Sequence, residues 1–214
     1  MDLSRFPECY KAYSWYDKHR LFGYPPDSYP NFDWIQSLER RFRHYRQHSD
    51  AVPLFLIKEM IQWGGSQNGV LEKFDNALGS YCLHMKLNTV LQSIHVPRRT
   101  IEAALDVPGL GLTYASKLLR FLDPERYGAL DGRIRKALGR LSPAPLPNIY
   151  DGNPPSVVGG YCKFVEYIEG LASGLRARGI SLPHEREVQR QWRAADIEMA
   201  LFQWASSQAE HNAV

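Results

Sequence analysis

The chain has 214 residues, of which 44% are hydrophobic, 23% charged and 12% aromatic, and its net charge is +3. That is long enough to bury a sizeable core in one domain or two lobes, and it excludes an extended basic tail. A mild basic balance permits nucleic-acid binding without arguing for it, so a local patch must carry that case. Cys9, Cys82 and Cys162 are odd in number and widely spaced, which gives neither a disulfide framework nor a zinc pattern. The first residues lack the apolar stretch of a signal peptide, and no run is long enough to span a membrane. An intracellular, metal-free protein is expected, with no membrane association.

Residues 1–33 are rich in aromatics, proline and polar residues. Tyr24-Pro25-Pro26 and Tyr29-Pro30 forbid a continuous helix, so an ordered coil is expected. Trp34, Leu38, Phe42 and Tyr45 recur at helical spacing, with Arg40, Arg41, Arg43 and Arg46 mostly on other faces. Those arginines read as a solvated face or as a DNA contact. Pro53 to Trp63 reads as a helix, broken by Trp63-Gly64-Gly65-Ser66-Gln67-Asn68-Gly69. An amphipathic helix through Val70, Leu71, Phe74 and Leu78 follows, then helices over Met85 to Ile94 and Pro97 to Leu105. The prolines of residues 142–156 predict an extended crossing between lobes. Val157 to Arg178 and Glu185 to Gln208 read as two long helices, the second docked through Trp192, Ile197, Leu201, Phe202 and Trp204. Residues 209–214 are expected to fray. No alternating strand pattern is present, so the class is all-α.

The stretch Leu105 to Leu141 is the most informative. An apolar helix ends at Val107-Pro108-Gly109-Leu110-Gly111, and a second begins at once with Leu112-Thr113-Tyr114-Ala115. Two glycines one residue apart permit positive φ and close backbone approach. The first N–H groups of the new helix point out of the turn, which suits them to an anion. Thr113, Lys117 and Arg120 share one helix face by their spacing, while Leu112, Ala115, Leu119 and Leu122 point the other way. The bland alternative is an ordinary turn between helices with glycine as terminator. Further on, Leu130-Asp131-Gly132-Arg133-Ile134-Arg135-Lys136-Ala137-Leu138 opens another helix. It carries Arg133, Arg135, Lys136 and Arg140 and no acidic residue from Gly132 to Leu141. An aspartate there is a good N-cap whatever else it does.

This stretch resembles the helix-hairpin-helix DNA glycosylase superfamily, which includes endonuclease-III-like, adenine-mispair and 8-oxoguanine glycosylases. The family's hairpin reads roughly Leu-Pro-Gly-Val/Ile-Gly-x-Lys/Ser-x-Ala and is followed by an essential aspartate after an apolar residue. Leu130-Asp131-Gly132-Arg133 looks most like the adenine-mispair branch, and its distance from Pro108 matches that branch without a gap. The resemblance is clear over residues 99–141, thinner over 52–98 and faint elsewhere. The iron–sulfur loop of many relatives has no counterpart. The resemblance implies one helical lobe over residues 52–141, a second built from 1–51 and 142–214, and a base pocket between them. It also implies a monomer that acts on double-stranded DNA containing an altered base, in the cytoplasm (on the nucleoid in a bacterium, or in the nucleus of a eukaryote).

The resemblance assigns roles residue by residue. Pro108, Gly109, Leu110, Gly111 and Leu112 would bind phosphate through the hairpin backbone, which is positioning without sequence readout; the residue pattern itself adds Arg120 of the polar stripe and Arg133 and Arg135 of the basic helix as DNA contacts. Asp131 would stabilise positive charge developing on the deoxyribose and orient the attacking water. The family's nucleophilic lysine falls at Thr113, so simple hydrolysis without strand cleavage is expected. Lys117 lies one turn on and is a displaced nucleophile or, more simply, a phosphate-contacting or solvated lysine. Gln62, Trp63, Gln67 and Asn68 lie where the family fills the hole left by an extruded base. Trp63 reads equally as a stacking platform or a core residue, and Glu59 as a proton donor to the leaving base or an ordinary surface glutamate. No cofactor is implied beyond a monovalent cation held by hairpin carbonyls. The competing readings are a non-catalytic helix-hairpin-helix DNA-binding module and a phosphate-binding helical protein that does not bind DNA.

Overall fold

The computed structural model describes residues 1–13, 31–48, 53–183 and 191–211. Among these the regular structure is entirely helical, with no strand: α1 Phe6–Lys11, α2 Asn31–His48, α3 Leu54–Trp63, α4 Val70–Asn76, α5 Tyr81–Gln92, α6 Pro97–Leu105, α7 Leu112–Leu122, α8 Gly132–Gly139, α9 Pro154–Ala177 and α10 Ala194–His211. Where a coil was expected near the start, a 3-10 turn at Leu3–Arg5 leads into α1. Pro7 is no obstacle because it lies in the first turn, where a proline forfeits no helical hydrogen bond. The Tyr24-Pro25-Pro26 and Tyr29-Pro30 segments lie outside the described residues. α10 begins at Ala194, later than the periodicity predicts, and is helical through His211; residues 212–214 of the stretch expected to fray lie outside the described residues.

The chain forms two compact units, residues 14–123 and residues 1–13 with 124–214. This differs from the division into 52–141 and the two chain ends. In the first unit, α2 is tied to α3 and α7 by side chains the pattern could not pair. Phe42 stacks on Phe121 at 5.5 Å, and Trp63 meets the same ring edge-on at 5.4 Å. Arg46 Nη1 donates to the Leu122 carbonyl at 2.7 Å. Leu38, Leu56, Ile57, Met60, Leu118 and Leu119 are fully buried around them.

In the second unit α10 is the hub. Phe6 and Tyr10 of α1 approach Trp192 edge-on at 6.2 and 5.7 Å, and Tyr13 approaches Phe202 at 5.6 Å. Arg193 caps the start of α10 together with Asp196: its backbone N–H donates to Oδ2 at 3.0 Å and its guanidinium spans both carboxylate oxygens. α8 packs on α10 through its buried Ile134 and Leu138, so Asp131 belongs with the chain ends and not with the glycine turn. The proline-rich segment is no free crossing. Ile149 lies so close to Gly160 of α9 that any side chain there would collide, and Arg135 holds the Ile149 carbonyl at 2.8 Å.

Candidate functional site

Three features meet in the first unit: the turn of residues 106–111 between α6 and α7, the loop after α3, and the polar residues of α7. The turn closes through the Leu110 N–H to the Val107 carbonyl at 3.0 Å, and Lys86 Nζ donates to the Asp106 carbonyl at 2.7 Å. Leu110 and Leu112 are buried, so their side chains anchor the turn and only their backbone remains for any ligand. Gly109 has φ +82, and a Cβ there would stand 2.8 Å from the Val70 carbonyl and 3.0 Å from Lys73 Cβ. Its close approach is therefore to the start of α4 rather than to an outside group. Gly111 differs: it is exposed, has extended backbone at φ −79 and ψ 179, and leaves open space where a Cβ would go. It is the N-cap of α7 and provides no side-chain cap. Pro108 and Thr113 are half-buried beside it.

The polar stripe on α7 does not face solvent. Arg120 is completely buried, its Nη1 2.7 Å from Glu39 Oε1 of α2 and its guanidinium 4.5 Å from the Phe121 ring. A DNA contact by Arg120 is thereby overturned, because burial and the Glu39 carboxylate leave no surface for a phosphate. Lys117 is also buried, with Nζ 4.3 Å over the Trp63 ring, so it is no solvated lysine. Trp63 itself is 3% exposed and wedged between Lys117 and Phe121, which makes it core and not a platform for an extruded base. Glu59 has both carboxylate oxygens engaged by Arg41, each at 2.6 Å, so neither is left to meet a leaving base.

Gln62, Gln67 and Asn68 are exposed. Ser66 and Asn68 adopt left-handed backbone at φ 50 and 58, as do Gly65 and Gly69. The sequence reading did not single out the residue that holds this loop. Tyr114 of α7 accepts the Gln67 N–H at 3.0 Å and donates to the Gly64 carbonyl at 3.2 Å. Burial raises the Tyr114 hydroxyl above its ordinary pKa, partly opposed by the Gln67 N–H, so it remains a donor at neutral pH. No local pattern exposes a partnership across so long a stretch of chain.

In the second unit Asp131 is the N-cap of α8, with Oδ1 accepting the Ile134 N–H at 2.8 Å. The side chain is half-buried, and among the described residues nothing is bonded to Oδ2. The approach to Asp131 is well supported. Tyr161 donates to the Gly128 carbonyl at 3.0 Å, and Gly128 has no room for a Cβ, which would stand 2.9 Å from Glu198 Cβ. Of the arginines on α8, Arg135 is turned back into its own unit, with Nη1 2.7 Å from Asp151 Oδ1. Arg135 is thus engaged by Asp151 and by the Ile149 carbonyl within its own unit. Arg133 is exposed, lies 4.6 Å over the Phe202 ring and donates to Ser206 Oγ at 2.9 Å. Lys136, further along the same helix, and Arg140, its C-cap, are exposed.

Among the described residues no group of three or more His, Cys, Asp or Glu side chains gathers as for a metal ion, and no helix is long and apolar enough to cross a membrane. No family model, curated protein or solved structure matches the chain.

Proposed function

We propose that this protein is a monofunctional DNA glycosylase of helix-hairpin-helix type, which takes an altered base out of duplex DNA and hydrolyses its N-glycosidic bond. The observation that carries the reading is the carboxylate of Asp131. One oxygen is pinned by a backbone N–H at a helix start and the other is unbonded, so the group is rigid yet has an acceptor to spare. Breaking a base–sugar bond leaves positive charge near C1′, and a preoriented anion stabilises that charge without reorganising. The same oxygen can accept a proton from the attacking water. Each unit would hold phosphate by its own groups: the open start of α7 at Gly111 in one, and Arg133, Lys136 and Arg140, on and just after α8, in the other. Thr113 stands where lyase-active relatives of this type have lysine, so the product would be an intact strand with an abasic site.

The test is base release from duplexes each carrying one altered base: oxidised purine, mispaired adenine, alkylated base or modified pyrimidine. Asp131→Asn keeps the cap and removes the charge. Release is expected to fall by about a hundredfold to a thousandfold while duplex binding persists. If the Asn variant releases base at the wild-type rate, Asp131 is only a cap and a non-catalytic DNA-binding module becomes the better account.

A further inference from the structure

The loop from Gly64 to Gly69 follows α3 and presents Gln67 and Asn68 to solvent. Its backbone is unusual, because Ser66 and Asn68 hold φ values of 50 and 58 without being glycine. Such conformations persist only when surrounding structure imposes them, and they concentrate at functional loops. The hydrogen bonds leaving α3 set only the start of the loop: Gly64, Gly65 and Ser66 N–H donate to the Met60, Gln62 and Ile61 carbonyls at 2.9, 2.9 and 3.1 Å. The far end is set by a side chain of α7. Tyr114 bridges the Gly64 carbonyl and the Gln67 N–H, donating to one and accepting from the other. The ring fits because residue 64 is glycine; a Cβ there would stand 2.6 Å from Tyr114 Cε1. Tyr114 lies one turn into α7, three residues after Gly111, and Gly109 of the same turn is seated against Val70, just past the loop. The turn and the loop are therefore fastened to each other at two points.

We infer that Tyr114 is a positioning residue that fixes the 64–69 loop to the start of α7, so that Gln67 and Asn68 are held ready to enter duplex DNA when a base is extruded. This rests on the glycosylase reading. A base leaving the stack opens a gap that side chains must fill in time with extrusion, and a loop already held in one conformation loses less entropy in filling it. Tyr114 acts through Gln67 and Asn68 and does not itself need to touch DNA.

The experiment uses Tyr114→Phe, which retains the ring against Gly64 and removes the hydroxyl. Amide hydrogen exchange at Gln67 is expected to quicken by about tenfold, with the α7 amides unchanged. Single-turnover base release should slow by about tenfold while affinity for unaltered duplex stays the same. Added to Gln67→Ala with Asn68→Ala, Tyr114→Phe should cause no further loss, because the residue works through that pair. Wild-type exchange at Gln67, or a loss that multiplies with that of the pair, overturns the inference. If wild-type protein releases no base from any duplex, the glycosylase reading fails by itself, and Gln67 exchange still decides whether Tyr114 fixes the loop. Gly64→Ala, which displaces the ring by steric force, should quicken the same exchange, and its failure to do so also counts against the inference.

Discussion

Helices α7 and α8 look alike as sequence: each follows a glycine or aspartate start, and each carries cations at helical spacing. In the fold they have opposite fates. α7 is buried from Tyr114 to Leu122, and its Lys117 and Arg120 lie in the core against Trp63, Glu39 and Phe121. α8 buries only Ile134, Ala137 and Leu138 and leaves Arg133, Lys136 and Arg140 exposed. Spacing puts side chains on one face, but it does not say whether that face meets water. A buried arginine is tolerable when another helix brings a carboxylate to it, and Glu39 of α2 does so. The exposed groups are thus the start of α7 in one unit and Arg133, Lys136 and Arg140 in the other, not the polar stripe of α7.

Six substitutions break or sharpen this contrast. The largest effect is expected from Arg120→Ala, which leaves Glu39 as a buried charge without its partner and should cost about 3–5 kcal/mol in a denaturant melt. If Arg120→Ala melts like wild type and only weakens DNA binding, the arginine faces outward after all. Next come the two glycines of the turn. Gly109→Ala forces a side chain into positive φ and onto the Val70 carbonyl, and should cost about 2 kcal/mol. Gly111→Asp meets open space and adds a capping carboxylate, so stability should hold or rise by about 0.5 kcal/mol. The same variant should weaken duplex affinity by about tenfold, since a carboxylate would occupy and repel the proposed phosphate site. Loss of stability in Gly111→Asp, or unchanged affinity, would remove the start of α7 from the interface. The smallest effects separate the cations of α8. Lys136→Ala and Arg140→Ala should each reduce the salt slope of binding by about 1 and change stability by no more than about 0.5 kcal/mol. Arg135→Ala should do the reverse, costing about 1 kcal/mol through its lost bonds to Asp151 and Ile149 with no change in slope.

Much was legible in the chain alone, where the physics is local. Apolar periodicity and Pro-Gly punctuation marked α6, found over Pro97–Leu105 as read, and the breaks around α3 and α4. The N-cap role of Asp131 followed from an aspartate placed just ahead of a helix. The positive φ of Gly109 followed from a Pro-Gly turn. Only the tertiary structure decided what each face meets. Glu39 lies far from Arg120 in sequence and Tyr114 far from Gly64, and no local pattern connects them. Burial of Trp63 and Lys117 depended on α2 and α7 closing over α3, and the commitment of Arg135 depended on the return of the 149–151 segment. Backbone propensity, capping and turn geometry act within a few residues and are written in the chain. Burial and charge pairing act between segments brought together only by folding, so the same lysine or arginine can be a phosphate ligand or a core residue until the fold assigns it.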